Sequence, residues 1–303
     1  MRALISDDAG SVTIGYVEEP THGQRQALIE VQAISINRGE TFLLEAPAPR
    51  WRPGKDIAGV VIESAADGSG PAAGTRVVAH VGEAGWADLV AVDTDRMVAL
   101  PDGVSVEVAA ALPLAGLTAL RLGRAAGLAP GTSLLVTGAS GGVGHYLAEI
   151  AAGCGALMTA VVASTARGGR LREFGATTLL DLEDARSGFD VGLDSVGGNS
   201  LGKLRRRVTP EGRVIWFGQA SREPATLDFF DWVNGTVGAP VISFDYTASD
   251  RPIGRDLATL VGLVGGGRLH PVLDEVRTIA DAAESIAALR ERRIVGNLVL
   301  KWG

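Results

Sequence analysis

The stretch TSLLVTGASGGVGHYLAEIAAG, residues 132–153, constrains the fold more than any other part of the chain. An apolar run, SLLVTG, stops at a glycine cluster. From Gly142 a helical pattern begins, with Val143, Leu147, Ile150 and Ala151 on one face at i, i+4, i+7 and i+8. A parallel strand that ends in such a turn places the free N–H groups of the next helix at the carboxyl edge of a sheet. Those donors and the helix dipole attract a pyrophosphate. In this reading Gly138 makes the turn, Gly141 and Gly142 let the backbone approach phosphate, and Ser140 and Val143 complete the loop. Gly144 lets helix and strand pack closely. The alternative is a tight strand-to-helix turn with no ligand. A nucleoside-triphosphatase loop is excluded: it ends in Gly-Lys-Ser/Thr, and His145 follows Gly144 here.

The rest of the chain divides around this turn. Residues 1–100 read as short strands, among them ALIEVQAISI (27–36), IAGVVIES (57–64), TRVVAHV (75–81) and WADLVAV (86–92), bounded by Gly, Pro and Asp. From about residue 130, apolar strands alternate with helical segments: LMTAVVAS (157–164), TTLLDL (177–182), DVGLDSV (190–196), RVIWFG (213–218) and PVISF (240–244). That alternation builds a parallel sheet with helices on both faces. After residue 250 come two amphipathic helices and a closing strand, GNLVLKW, which is expected to return to the first domain.

Composition narrows the function. At 303 residues and 46% hydrophobic content the chain affords a packed core. Its net charge is −7, and it has three lysines and no basic stripe, so nucleic acid is excluded as a partner. Arg205, Arg206 and Arg207 read as a solvated helix end. Cys154 is the single cysteine, read as a small core residue, and the four histidines lack metal-ligand spacing. No signal peptide or membrane span is expected, which implies a cytoplasmic protein.

Two oxidoreductase families share the glycine motif. Read as T-G-x-x-x-G-x-G it resembles the short-chain dehydrogenases, but Tyr16, Tyr146 and Tyr246 all lack the lysine four residues on that their chemistry needs. Read as G-x-x-G-x-x-G after a β-rich domain it resembles the medium-chain dehydrogenase/reductase superfamily, and its zinc-independent quinone oxidoreductase-like branch in particular. SINRGE (35–40), PGKDIAGVV (53–61), AGTRVVA (73–79), GWADLVAV (85–92), AAALPLAGLTAL (109–120), DSVGG (194–198) and GRVIWFG (212–218) follow in that family's order. The resemblance implies a doubly wound Rossmann domain over 114–247. It also implies a β-rich, GroES-like catalytic domain over 1–113 and 248–303. By the same resemblance Asn37 and Thr118 are the polar residues nearest the nicotinamide. Val196, Phe217 and Gly218 line its pocket, Asn297 contributes through its backbone, and a homodimer forms through the edge strand near 239–244.

The second strand of the Rossmann series decides the cofactor. NAD sites usually place a carboxylate at its end. Here VVASTARGGR puts Ser164 and Thr165 at the tip, with Arg167 and Arg170 available to a 2′-phosphate, so NADPH is expected. Leu182 replaces a family tyrosine that touches the adenosine half, and Gly168–Gly169 weakens the following helix. Asn37–Arg38 and Lys55–Asp56 stand where the zinc enzymes of the superfamily carry their ligands, so no metal is expected. A site without metal or Tyr/Lys pair suits an acceptor that is already electrophilic: a quinone, an enone or an enoyl-type small molecule. The alternative is an NADPH-binding redox sensor or scaffold of the same fold. Trp51 reads either as shaping a substrate entrance or as packing under a loop.

Overall fold

The computed structural model describes residues 1–233 and 238–303. The chain forms two compact units, one of Met1–Leu117 with Asp250–Gly303 and one of Thr118–Ser249. None of the helices among the described residues is long and apolar enough to cross a membrane.

The second unit is a six-stranded parallel sheet. Its strands are β1 (Ser133–Thr137), β2 (Leu157–Val161), β3 (Thr177–Leu179), β4 (Phe189–Asp194), β5 (Val208–Trp216) and β6 (Val241–Ser243). They lie in the order β3-β2-β1-β4-β5-β6. The strand order reverses between β1 and β4, and in such sheets ligands bind outside the carboxyl ends at that switch point. Every residue of β1 is buried, as expected for a central strand covered on both faces. Helix α1 (Gly142–Gly153) follows β1, α2 (Gly169–Glu173) follows β2, and α3 (Asn199–Arg205) follows β4. A core of Leu135, Phe189, Leu201, Leu204, Val208 and Val214 packs α3 onto the sheet, and Leu182 belongs to this core.

In the first unit, the long strand Gln26–Ile36 pairs antiparallel with Asp56–Glu63, with Leu89–Asp93 and with Asn297–Lys301. The closing strand thus joins the sheet formed by the N-terminal part of the chain, as its lack of partners in the α/β region suggested. Trp86, Ile34, Ile57, Ile286 and Leu300 fill the core, and Trp51 packs against it half-buried, which favours the packing reading for that side chain.

Two expectations fail here. Cys154 is exposed: it sits at the C-cap of α1, where its N–H closes the last helical turn and its side chain has left the buried face. Arg205 is buried rather than solvated. Its Nε donates to Ala239 O at 2.9 Å, and its guanidinium lies 3.6 Å from the ring centroid of Trp232. A short run of three charges reads as one solvated end, but α3 turns only Arg206 outward, while Arg207 pairs with Glu183.

The β1–α1 turn contains glycines of unequal need. Gly138 has φ +63°, the left-handed region. A Cβ on Gly144 would lie 2.0 Å from Ala139 O, whereas one on Gly141 would meet nothing nearer than 3.8 Å. Gly144→Ala should therefore cost about 2 kcal/mol or more through overpacking. Gly141→Ala should stay within about 1 kcal/mol. Equilibrium urea unfolding of the two variants checks the contrast.

Candidate active site

The first helical turn of α1 is open. Its N-cap, Gly141, has no side chain, so nothing from the cap satisfies the leading N–H groups. Inside that turn His145 is buried, and its Nδ1 pairs with Gly141 O at 3.0 Å. Burial holds the imidazole below its ordinary range, and the Arg170 and Arg167 charges reinforce this. A neutral His145 on the Nδ1–H tautomer donates to Gly141 O and adds no cation of its own to the turn.

Three of the expected cofactor residues meet beside it. Arg167 lies in the short 3-10 turn after β2. Its Nε donates to the Ser140 hydroxyl at 3.2 Å and its backbone N–H to Ser164 Oγ at 3.4 Å. Arg170 does not join them: it pairs with Glu173 and stands over the Phe174 ring. Arg167, Ser140 and Ser164 thus form one cluster, and Arg170 stands outside it because α2 rotates it to its outer face. The set is chemically suited to a phosphate: two hydroxyls, one guanidinium and an uncapped helix N-terminus.

At the ends of β4 and β5, Val196, Phe217 and Gly218 are half-buried and cross-bonded. Phe217 N–H donates to Asp194 O at 2.9 Å and Ser221 N–H to Val196 O at 2.8 Å. Asp194 itself was not singled out from the sequence. It is fully buried, and burial raises its carboxyl above the ordinary range against the pull of four donors. The available signal was an acid ending a strand just before the Gly-Gly of DSVGG.

Thr118, in the helix Pro113–Ala126, is buried, and its hydroxyl has no hydrogen-bond partner among the described residues. Asn37 and Asn297 belong to the first unit. Asn297 Nδ2 donates to Val272 O at 3.1 Å. Asn37 caps the helix Arg38–Leu43 in a reciprocal box with Glu40, whose Oε2 accepts the Asn37 N–H at 2.9 Å. Its amide nitrogen donates to Asp56 Oδ2 at 2.7 Å and to Glu40 Oε2 at 3.4 Å. Both amide hydrogens are therefore committed, and none remains for a substrate oxygen. Asp56 is the hub: it also pairs with His80 Nδ1 at 2.9 Å and accepts the Leu114 N–H at 3.1 Å. Among the described residues, no group of three or more His, Cys, Asp or Glu side chains has the arrangement of a metal site.

Comparison with known proteins places this geometry. Residues 23–102 match the alcohol dehydrogenase GroES-like domain, and residues 170–300 match the zinc-binding dehydrogenase family model. The chain is similar to a 2-methylene-furan-3-one reductase of Solanum lycopersicum, 32% identical over 329 residues, which cover 99% of this chain and 79% of the relative. The chain belongs to the medium-chain dehydrogenase/reductase superfamily, in its quinone oxidoreductase-like branch. It also matches NorB of the spectinabilin polyketide synthase system of Streptomyces orinoci, 32% identical over 290 residues; the match takes in 91% of this chain but only 13% of NorB. Among solved structures it shares its fold with an Escherichia coli quinone oxidoreductase complexed with NADPH, at TM-score 0.88 and 21% identity over 99% of each chain.

Glu40 makes this cluster pH-sensitive. Complete burial, with the Asp56 charge adding to it, pushes its carboxyl up to about 8, and Oε1 has no partner. The folded protein holds this proton more tightly than the unfolded chain, where the group titrates near 4.5. Its stabilising contribution is complete below about pH 4.5 and is lost as pH rises through about 8. Glu40→Gln should flatten that dependence and melt several degrees higher than wild type at pH 9, with little difference at pH 5, in paired thermal melts.

Proposed function

We propose that this protein is a zinc-independent, NADPH-dependent reductase of conjugated carbonyl compounds: quinones, enones or enoyl-type substrates. One observation carries the cofactor assignment: Arg167 reaches back from the end of β2 to Ser140, beside an uncapped helix N-terminus, and no carboxylate lies between Leu157 and Arg172 to repel a 2′-phosphate. The NADPH complex of the Escherichia coli relative and the enone substrate in the tomato relative's name support the same reading.

When bound, NADPH supplies the hydride. The residues of this chain do the rest. The N–H groups at Gly142–Gly144 bind the pyrophosphate, Arg167 pairs with the 2′-phosphate, and Val196, Phe217 and Gly218 wall the nicotinamide. Thr118 offers a free hydroxyl to orient the ring or meet the substrate oxygen. Asn37, with its amide hydrogens spent, holds the first unit's helix and Asp56 in place rather than donating to an oxyanion. An acceptor activated by conjugation needs no Lewis acid.

We further propose a homodimer through β6. Among the described residues this strand pairs on one side only, with β5, and Ile242, Phe229, Phe230 and Val233 are exposed nearby in sequence. An open edge with apolar side chains is a template for pairing with a second copy. Ile242→Lys should convert dimer to monomer in sedimentation velocity runs.

The function is tested with a panel of quinones, enones and alcohols, with NADPH or NADH and a chelator present. NADPH-driven reduction of the conjugated substrates, indifferent to chelator, is expected. Chelator-sensitive alcohol oxidation overturns the zinc-free reading, and NADPH binding without turnover favours a sensor or scaffold. Arg167→Ala should raise KM for NADPH about 10- to 100-fold, the worth of a charge-assisted phosphate contact, and leave KM for NADH within a few-fold.

A further inference from the structure

We propose that Asp194 is a positioning residue for the nicotinamide end of the cofactor site. The proposal rests on the NADPH reading above and deepens it. Asp194 has no exposed surface, and among the described residues no cation pairs with it. A buried carboxylate is a poor device for stability alone, since an apolar side chain of similar size does as well or better. What this carboxylate supplies is direction.

Its two oxygens divide the work. Oδ1 accepts the N–H groups of Val196 at 3.0 Å and Gly197 at 2.5 Å, which folds the turn back onto the end of β4. Gly197 and Gly198 take φ +70° and +54° to allow that reversal. Oδ2 accepts the hydroxyls of Thr137 at 3.0 Å and Ser200 at 2.8 Å, which ties the turn to the end of β1 and to α3. The two strand ends are then locked a second time: Ser195 Oγ donates to Thr137 O at 2.9 Å. Their approach is as close as backbone allows, for a Cβ on Gly138 would lie 2.2 Å from Ser195 Oγ. Phe217 and Ser221 hang from the same turn through Asp194 O and Val196 O.

Val196, Phe217 and Gly218 are thus all placed by reference to Asp194. The phosphate end touches Asp194 only through Thr137, the residue before Gly138; beyond that point the open turn of α1 rests on Gly141 and His145, and Arg167 rests on Ser140 and Ser164. Loss of the carboxylate should therefore loosen the nicotinamide end far more than the phosphate end.

Titration calorimetry separates the ends. NADPH is compared with 2′-phospho-ADP-ribose, which has the phosphates and lacks the nicotinamide, on wild type, Asp194→Asn and Thr137→Val. Thr137→Val keeps the side-chain shape and removes one donor, so it carries the test even where Asp194→Asn does not fold. Wild type is expected to bind NADPH more tightly than the fragment. The variants should lose about tenfold or more in NADPH affinity and stay within about twofold for the fragment. Equal weakening of both ligands is the mark of a merely structural role and overturns the proposal, as does unchanged NADPH binding. Wild type that binds the fragment as tightly as NADPH also overturns it and leaves the phosphate site standing. Wild type that binds neither removes the NADPH reading itself.

Discussion

The nucleotide-binding unit depends on how closely Ala139 O approaches the backbone of residue 144. Only a residue without Cβ fits there, and only that closeness brings α1 down onto the end of β1. Once the helix starts at this height, its leading N–H groups open at the carboxyl edge of the sheet with no side chain to cap them. Such an uncapped N-terminus is suited to an anion. The strand order reverses between β1 and β4, the place where open sheets of this kind bind their ligands.

Two buried carboxylates in this protein obey different electrostatics and so serve differently. Asp194 is surrounded by donors from two strand ends and a helix, and acts as a joint between turns. Asp56 gathers Asn37, His80 and the Leu114 N–H, with Glu40 close enough to feel its charge. One of a crowded pair of carboxyl groups keeps its proton, and Glu40, with an orphaned oxygen and full burial, is the one that does. In that arrangement Asn37 is drawn inward. The resemblance of SINRGE to a family segment marks Asn37, and the structure turns its amide hydrogens toward Asp56 and Glu40.

Much was legible because it is local. The glycine spacing of residues 138–144, the apolar run of β1 and the alternation of strand and helix after residue 130 all follow from patterns within a few residues. The readings that failed share a different cause. Residue type and neighbours in sequence do not give the direction of a side chain: Cys154 is turned outward at its helix C-cap, Arg170 folds along its own helix onto Glu173 and Phe174, and Arg205 is buried by the distant Trp232 and Ala239.

By itself the sequence determined the fold class, the family and the glycine turn between β1 and α1, since these need only residue identity and short-range spacing. Only the tertiary structure decided which arginine faces Ser140, that the amide hydrogens of Asn37 are already taken, and that Asp194 joins the ends of β1 and β4. Those depend on side chains 19 to 57 residues apart meeting at hydrogen-bond distance, with partners that sequence order does not reveal.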